Sequence, residues 1–462
     1  MKITLLGAGV RTPFVLHGLA ATGSELGLTE VTLHDVDRRR LQIMHRLGTH
    51  LCRQWEAQFS VSAEHDPRLA LSGAGFVFSA IRAGQDRARA LDEEIPLKYG
   101  VIGQETTGPA GFAMAMRTIP EVLKLARLIE EICPTALVVN FTNPVGIIMQ
   151  ALTTQTAVRA VGVCDGPIEM KRSVAEFLGV PADEMHVDYF GLNHCGWIHR
   201  VLVDGRDRLP EVIDRYEQLR TMDDQWRLFD AELVQAIGML PMEYLYFYYY
   251  RDRAVNHVLQ SGGTRGAQVL ALSDALWPAL YDRISADDLD GAQRAWERAL
   301  EARGASYFAR ERGEIVPSDG SAGPEGPQTE VFEGDGYEGL AITVIAAAVQ
   351  RRKAELIVNA PNLGAIAGLR DDDVVEVTCQ VDEHGAHPLA QGPMPSTARA
   401  LIDAVKEYER LTVQAAVEGS YSKALQALLT HPLVGSYPLA RSLLDDYLGT
   451  HPGFLQPGGA GR

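Results

Sequence analysis

The segment Gly7-Ala8-Gly9-Val10-Arg11-Thr12-Pro13 constrains the fold more than any other. It follows the apolar run Ile3–Leu6 and opens a helix-like stretch, with Thr12 suited to the N-cap and Pro13 to the first helical position. Glycines at 7 and 9 permit a tight turn and close approach of the backbone to a pyrophosphate seated on a helix N-terminus. Thr12 stands where the usual fingerprint has its third glycine. Asp35 ends the next β-branched run, Val31–His34, and is placed to take the ribose hydroxyls of an adenosine. Its charge would repel a 2′-phosphate, so NAD is favoured over NADP. A plain strand, turn and helix beside an acidic loop would share part of this pattern. Strand, turn, helix and carboxylate together favour the dinucleotide.

Further apolar runs at Gly75–Ile81, Ala136–Phe141 and Ala160–Cys164 alternate with helix-like segments such as Pro13–Ala21 and Pro120–Ile132. Such alternation predicts a doubly wound parallel sheet with helices on its faces. From about Asp165 the pattern changes. A strand-like stretch over Val187–Val203 turns through Asp204-Gly205, and long helical stretches follow near Leu340–Arg351 and Ser396–Leu429. The expectation is an α/β chain: a Rossmann-like NAD-binding domain over 1–165, then an α+β catalytic and oligomerisation domain over 166–455, as in lactate and malate dehydrogenases. Gly313–Gly336, rich in Gly, Pro, Ser and Asp, reads as an insertion loop.

The formal charge of −17 argues against a nucleic-acid partner, which needs a basic face, and against docking on an anionic membrane. No apolar stretch is long enough to span a bilayer, and Met1–Leu6 reaches a glycine turn too soon for a signal peptide. Five scattered cysteines suit a reducing cytoplasm.

Polar residues at the C-terminal ends of later strands are candidate ligand contacts, because doubly wound sheets bind there. Asn143, in Asn140-Phe141-Thr142-Asn143-Pro144, would face the crevice as Pro144 starts a helix. Cys164-Asp165-Gly166-Pro167 closes the next strand; a lone buried cysteine is commonly a small hydrophobe and an Asp before Gly-Pro commonly a cap. His194, in Gly191-Leu192-Asn193-His194-Cys195-Gly196-Trp197, is either a core histidine or a ligand. If it meets Cys164, nitrogen and thiolate together suit a divalent transition metal with positions open to substrate; His186 and His199 are competitors. The tyrosines of Pro241–Tyr250 read as a packed helix face, one of which could serve as a base if a cation lowered its pKa from about 10. Arg82, Arg87 and Arg89, in one loop, and Arg265, after Gly262-Gly263-Thr264, could hold an anion bidentately.

These segments occur in order with Asp92–Gly100, Gly103-Gln104-Glu105-Thr106, Arg117-Thr118-Ile119-Pro120, Gly336-Tyr337-Glu338-Gly339, Asn359-Ala360-Pro361-Asn362 and His431-Pro432-Leu433. The chain thereby resembles glycoside hydrolase family 4, the NAD- and metal-dependent glycosidases, especially their 6-phospho-β-glucosidase branch. The resemblance implies Cys164 and His194 as ligands of a divalent metal, usually manganese. It implies Asp165 as acid, Tyr244 as base, and Arg89, Asn143 and Arg265 as substrate contacts. Two departures stand out: Asp165 where many β-specific relatives have Asn, and Val10-Arg11 where relatives often have small or hydroxyl residues.

The implied reaction is oxidation at C3 of the sugar, proton removal at C2, loss of the C1 group and addition of water, outside the paired-carboxylate scheme. The expected partner is a small, anionic glycoside, foremost a 6-phospho-β-glucoside, and the expected assembly a homodimer or homotetramer. The same chemistry on a sulfoquinovoside, glucuronide or α-galactoside is the alternative within the family. Outside it stand an NAD-dependent hydroxyacid dehydrogenase and an idle NAD-binding sensor.

Overall fold

The computed structural model describes residues 1–314 and 337–455. Only the first two residues of the expected Gly313–Gly336 insertion fall among them.

Six short strands form the parallel part of one sheet: β1 (Lys2–Leu6), β2 (Glu30–His34), β3 (Ser60–Ala63), β4 (Phe76–Ser79), β5 (Leu137–Asn140) and β6 (Arg159–Gly162). Their spatial order is β3-β2-β1-β4-β5-β6, all parallel. That is the doubly wound arrangement expected from the alternation. Its strands are buried by helices on both faces, which is why they read as continuous apolar runs. The exception is β3, whose Ser-Val-Ser-Ala sequence lies at the sheet edge with one strand neighbour; it is too polar and short to signal a strand.

The second half adds two structures. A hairpin of β7 (Met185–Leu192) and β8 (Cys195–Val203) carries β9 (Arg206–Asp207) and β10 (Leu240–Pro241) on β8. The long strand expected over Val187–Val203 is thus broken at Asn193-His194. Then β11 (Ala354–Pro361), β12 (Val374–Asp382) and β13 (Gly385–Pro388) continue the first sheet antiparallel, β11 meeting β6 at Asn359 and Gly162. The two long C-terminal helices are separate, Ser396–Glu418 and Tyr421–Thr430, parted by Gly419 at φ +66°.

Pro120 does not start a helix. It lies inside Gly108–Ile132, whose small and apolar first half, Pro109 to Ile119, is almost wholly buried. Packing of that half outweighs the roughly 3 kcal/mol an internal proline costs. Another helix, Leu289–Ala305, is anchored on the glycine turn by the Trp296 indole, which donates to the Val10 carbonyl at 2.8 Å. This contact carries the helix's C-terminal end to the crevice at the ends of β1, β4, β5 and β6. Strand order reverses between β1 and β4, and ligands of such sheets bind at that point. No helix among the described residues is long and apolar enough to cross a membrane.

Candidate active site

One cavity of about 1720 Å³ opens at this crevice. Gly7, Gly9, Thr12 and Asp35 line it, as do Arg89, Asn143, Asp165, Tyr244 and Arg265. Residues from both halves of the chain therefore share a single chamber.

At the glycine end, Gly7 has φ +100°, and a Cβ there would lie 2.6 Å from the Ala80 carbonyl oxygen. Only glycine fits between the turn and the end of β4. A Cβ at Gly9 would have no described atom within 4 Å, so the second glycine faces open space. Thr12 is not the N-cap. Arg11 takes that position and Thr12 begins the helix Thr12–Thr22, because the turn from β1 closes one residue sooner than the spacing suggests. The Thr12 hydroxyl is buried with no hydrogen-bond partner among the described residues. The Asp35 carboxylate accepts from Ala8 N at 3.0 Å and from Asp37 N at 2.8 Å, which ties the two loops together and fixes the acid on the rim. An orphaned hydroxyl, open space at Gly9 and a fixed carboxylate fit a dinucleotide.

At the other end, β6 stops at Gly162 and the chain turns through Cys164-Asp165 into the helix Gly166–Leu178, with Asp165 at its N-cap. Asn143 lies one residue before the Pro144 N-cap of the helix Val145–Gln155, so Pro144 caps that helix instead of beginning it. The hairpin turn between β7 and β8 holds His194 at φ +61° and brings its Nε2 to 3.5 Å from Cys164 Sγ. The other ring nitrogen, Nδ1, is 2.5 Å from Thr106 Oγ1, in the loop preceding Gly108–Ile132. A proton on Nδ1 would leave Nε2 with its lone pair toward the sulfur. Burial pulls the imidazole down to about 3, so it is neutral and able to ligate. Burial, with the charges of Glu376 and Asp165, pushes the Cys164 thiol well up. A divalent cation would be needed to ionise it. Among the described residues no third His, Cys, Asp or Glu completes a cluster. One soft sulfur and one imidazole with the remaining positions open suit a transition metal that also takes substrate oxygens. His186 and His199 are elsewhere: His186 bridges Asp188 and Glu355, and His199 packs edge-on to Phe190.

Tyr244 stacks on His194 and packs edge-on to Phe308, 5.3 Å between centroids. The tyrosine stretch is a 3-10 turn, Glu243–Leu245, and a short helix, Tyr246–Tyr249, rather than one helix face. Burial and the neighbouring Glu243 raise the Tyr244 phenol well above its ordinary value.

The arginines divide into two kinds. Arg82 is in the loop after β4, whereas Arg87 and Arg89 lie on the helix Gln85–Leu97, not in one loop with it. Arg87 is exposed and does not line the cavity. Arg89 is buried, with its Nε 2.8 Å from Glu93 Oε1 and Nη1 2.6 Å from Glu105 Oε2. Its guanidinium already has two carboxylates. Arg265 opens the helix Arg265–Ser285 and donates only to uncharged acceptors: Gln268 Oε1, Ser306 Oγ and the Arg303 carbonyl. Burial and the charges of Arg89 and Arg310 lower it to about 10. Arg303, at the end of Leu289–Ala305, is a site residue that the sequence does not reveal. It lines the same cavity, and no described residue hydrogen-bonds its guanidinium. Burial, Arg82 and Arg89 lower it to about 9. Two half-buried cations whose guanidinium groups no described carboxylate hydrogen-bonds make a receptor for an anion. A helix end carries no local signature that could have marked Arg303. Thr106, Glu243 and Tyr307 are likewise invisible as site residues in the sequence.

Sequence profiles for "Family 4 glycosyl hydrolase" and "Family 4 glycosyl hydrolase C-terminal domain" match residues 2–180 and 189–434. A probable 6-phospho-beta-glucosidase of Bacillus subtilis is 32% identical, over 98% of this chain and 97% of its own. The structure is similar to a Thermotoga maritima 6-phospho-beta glucosidase solved with manganese, NAD+ and glucose-6-phosphate (TM-score 0.77, 28% identity, 99% of this chain and 100% of that one). It is equally similar to a 6-phospho-alpha-glucosidase from gut microorganisms in complex with NAD and Mn2+ (TM-score 0.78, 27% identity, 98% of each chain). With both profiles in register along the chain, the nucleotide turn and Tyr244 in one chamber and the Cys164–His194 pair behind its wall, this protein belongs to glycosyl hydrolase family 4.

Proposed function

We propose that this chain hydrolyses O-glycosides of a 6-phosphorylated sugar, foremost 6-phospho-β-glucosides, with NAD and a divalent metal such as manganese. The observation that carries the reading is the single cavity joining the nucleotide turn to Tyr244, with Cys164 and His194 just behind its wall and Arg265 and Arg303 on its rim. When bound, NAD supplies a hydride acceptor at C3, and a metal on Cys164 and His194 supplies a Lewis acid for the sugar oxygens.

The chain's own residues do the rest. Arg265 and Arg303 hold the anion and Asn143 orients the glycone. Arg89 serves by fixing Glu105: burial would raise that carboxyl, yet Arg82, Arg89 and Arg303 outweigh it and hold it at about 2. Tyr244 takes the proton from C2, and Asp165 assists departure of the C1 group. The −17 charge of the chain repels such a substrate at long range, so discrimination lies in the pocket. All five cysteines are free and buried, which accords with a cytoplasmic setting. The assembly we expect is a homodimer or homotetramer, which light scattering would read.

The deciding experiment is aglycone release from a panel of α- and β-aryl glycosides and their 6-phosphates, with NAD and manganese. Cleavage confined to 6-phosphorylated β-glycosides is the expected result. Turnover of unphosphorylated glycosides at a similar rate would overturn the substrate class.

A further inference from the structure

The Tyr244 hydroxyl is 3.1 Å from the Tyr307 hydroxyl, which in turn donates to Glu243 Oε1 at 2.8 Å. Tyr307 has one proton and gives it to the carboxylate, so Tyr244 is the donor to Tyr307. The chain of three does not end in the protein interior. Glu243 lines a second cavity of about 350 Å³, with Glu169, Asp223, Arg172 and Arg312. Tyr307 lines both chambers, whereas Glu243 lines only the second. Tyr307 thus stands in the wall between the substrate chamber and a separate opening.

We propose that Tyr307 and Glu243 form a proton relay that serves Tyr244 from the second cavity, with Glu243 as the group that finally accepts the proton. The proposal rests on the reading that Tyr244 is the base at C2. It gives the buried Tyr244 phenol a hydrogen-bonded acceptor for its proton. As the Tyr244 proton passes to Tyr307 oxygen, the Tyr307 proton passes to Glu243 Oε1. The net change is one phenolate at Tyr244 and one neutral carboxyl at Glu243, with Tyr307 restored. The phenolate oxygen then takes the C2 proton, and the C–H electron pair stays on the carbon beside the C3 ketone. When water adds at C1, Tyr244 gives that proton back to C2, and the Glu243 proton then returns through Tyr307 to the Tyr244 phenolate, restoring all three groups. Burial raises the Glu243 carboxyl, the Tyr307 hydrogen bond opposes this, and Glu169, Asp165 and Asp223 raise it further, to about 8, which brings it nearer to a phenol than an ordinary carboxylate stands. Arg172 and Arg312 line the same cavity.

The test uses Tyr307→Phe, Glu243→Gln and the double variant of the full chain, with an aryl 6-phospho-β-glucoside, NAD and manganese. Deuterium taken up at C2 of the product in heavy water reads the proton step directly. Each single variant is expected to lower that uptake and kcat by roughly 10²-fold, the lower end of what a general base contributes. The double variant is expected to lose no more than either single one, as members of one path do. Glu243→Gln should also abolish the acid limb of the kcat/KM profile, and Glu243→Asp, which keeps a carboxylate, should restore part of the exchange. Exchange and acid limb unchanged in both singles, or losses that multiply in the double variant, would overturn the relay alone. An unaltered enzyme that cleaves substrate without any C2 exchange would overturn the reading of Tyr244 and the relay with it.

Discussion

The ring of His194 lies flat on that of Tyr244, centroids 3.6 Å apart and planes 5° from parallel. The metal-facing imidazole and the phenol proposed as base are therefore one packed unit. Moving either ring tilts the other. A divalent cation held by Cys164 and His194 would favour the ionised form of the phenol, against the burial that raises it.

Replacing Tyr244 by Phe tests this unit with little disturbance, because the stack and the edge contact with Phe308 persist. Thermal stability should fall by about 1 kcal/mol or less, the worth of one hydrogen bond to Tyr307. Turnover should fall by roughly 10²–10⁴-fold if general-base catalysis is lost. Retention of both rate and C2 exchange would move the role of base to another residue, Asp165 first.

Cys164→Ser should abolish most manganese-dependent cleavage while leaving nucleotide affinity nearly intact, since Cys164 is absent from the glycine end of the chamber. Manganese binding by titration calorimetry and NADH fluorescence on the apoprotein separate the two effects. Full activity of the unaltered enzyme after exhaustive chelation would remove the metal from the mechanism.

NAD should be required for cleavage yet show no net reduction over many turnovers, because the hydride taken at C3 is returned. Absorbance of NADH followed beside aglycone release reads this. Stoichiometric NADH would point to a dehydrogenase with the same N-terminal fold.

Arg303→Met keeps the apolar stem and removes the charge. A charge-assisted hydrogen bond contributes about 1.5–3 kcal/mol, so KM for a 6-phosphorylated substrate should rise roughly 10–150-fold. Weak turnover of the unphosphorylated analogue should be unchanged. Equal losses on both substrates would show that Arg303 supports the fold instead.

His186 offers a stability test away from the chamber. Hydrogen bonds to Asp188 and Glu355 raise it to about 9, from an ordinary histidine value of 6.5. A folded value above the unfolded one means the stabilisation is fully present below about 6.5 and is lost as pH rises through about 9. His186→Asn should therefore lower the melting temperature most at mildly acidic pH and hardly at all above about 9. A difference that grows with pH would contradict the assignment.

The cofactor end is legible in the sequence because its parts are local: a turn, a helix start and one carboxylate. The parallel strands are legible for a similar reason, being buried on both faces and uniformly apolar. Arg89 shows where local reading stops. Its charge is visible, but Glu93 and Glu105, which occupy it, are partners only in the folded chain. Arg303 and Tyr307 give no signal at all, since helix Leu289–Ala305 reaches the chamber through one tryptophan contact to Val10. Pro120 misleads because a helix-breaking residue announces itself locally, whereas the burial that overrides it does not.

The left-handed backbone at His194 has a consequence for how such a site could change over time. Besides glycine, the residues that tolerate this conformation best are Asn, Asp and His. All three can ligate a metal. Mutational drift at this position is thus filtered by the hairpin turn toward donors of different hardness. The turn would let a lineage exchange one divalent ion for another by a single substitution, with the fold around it undisturbed.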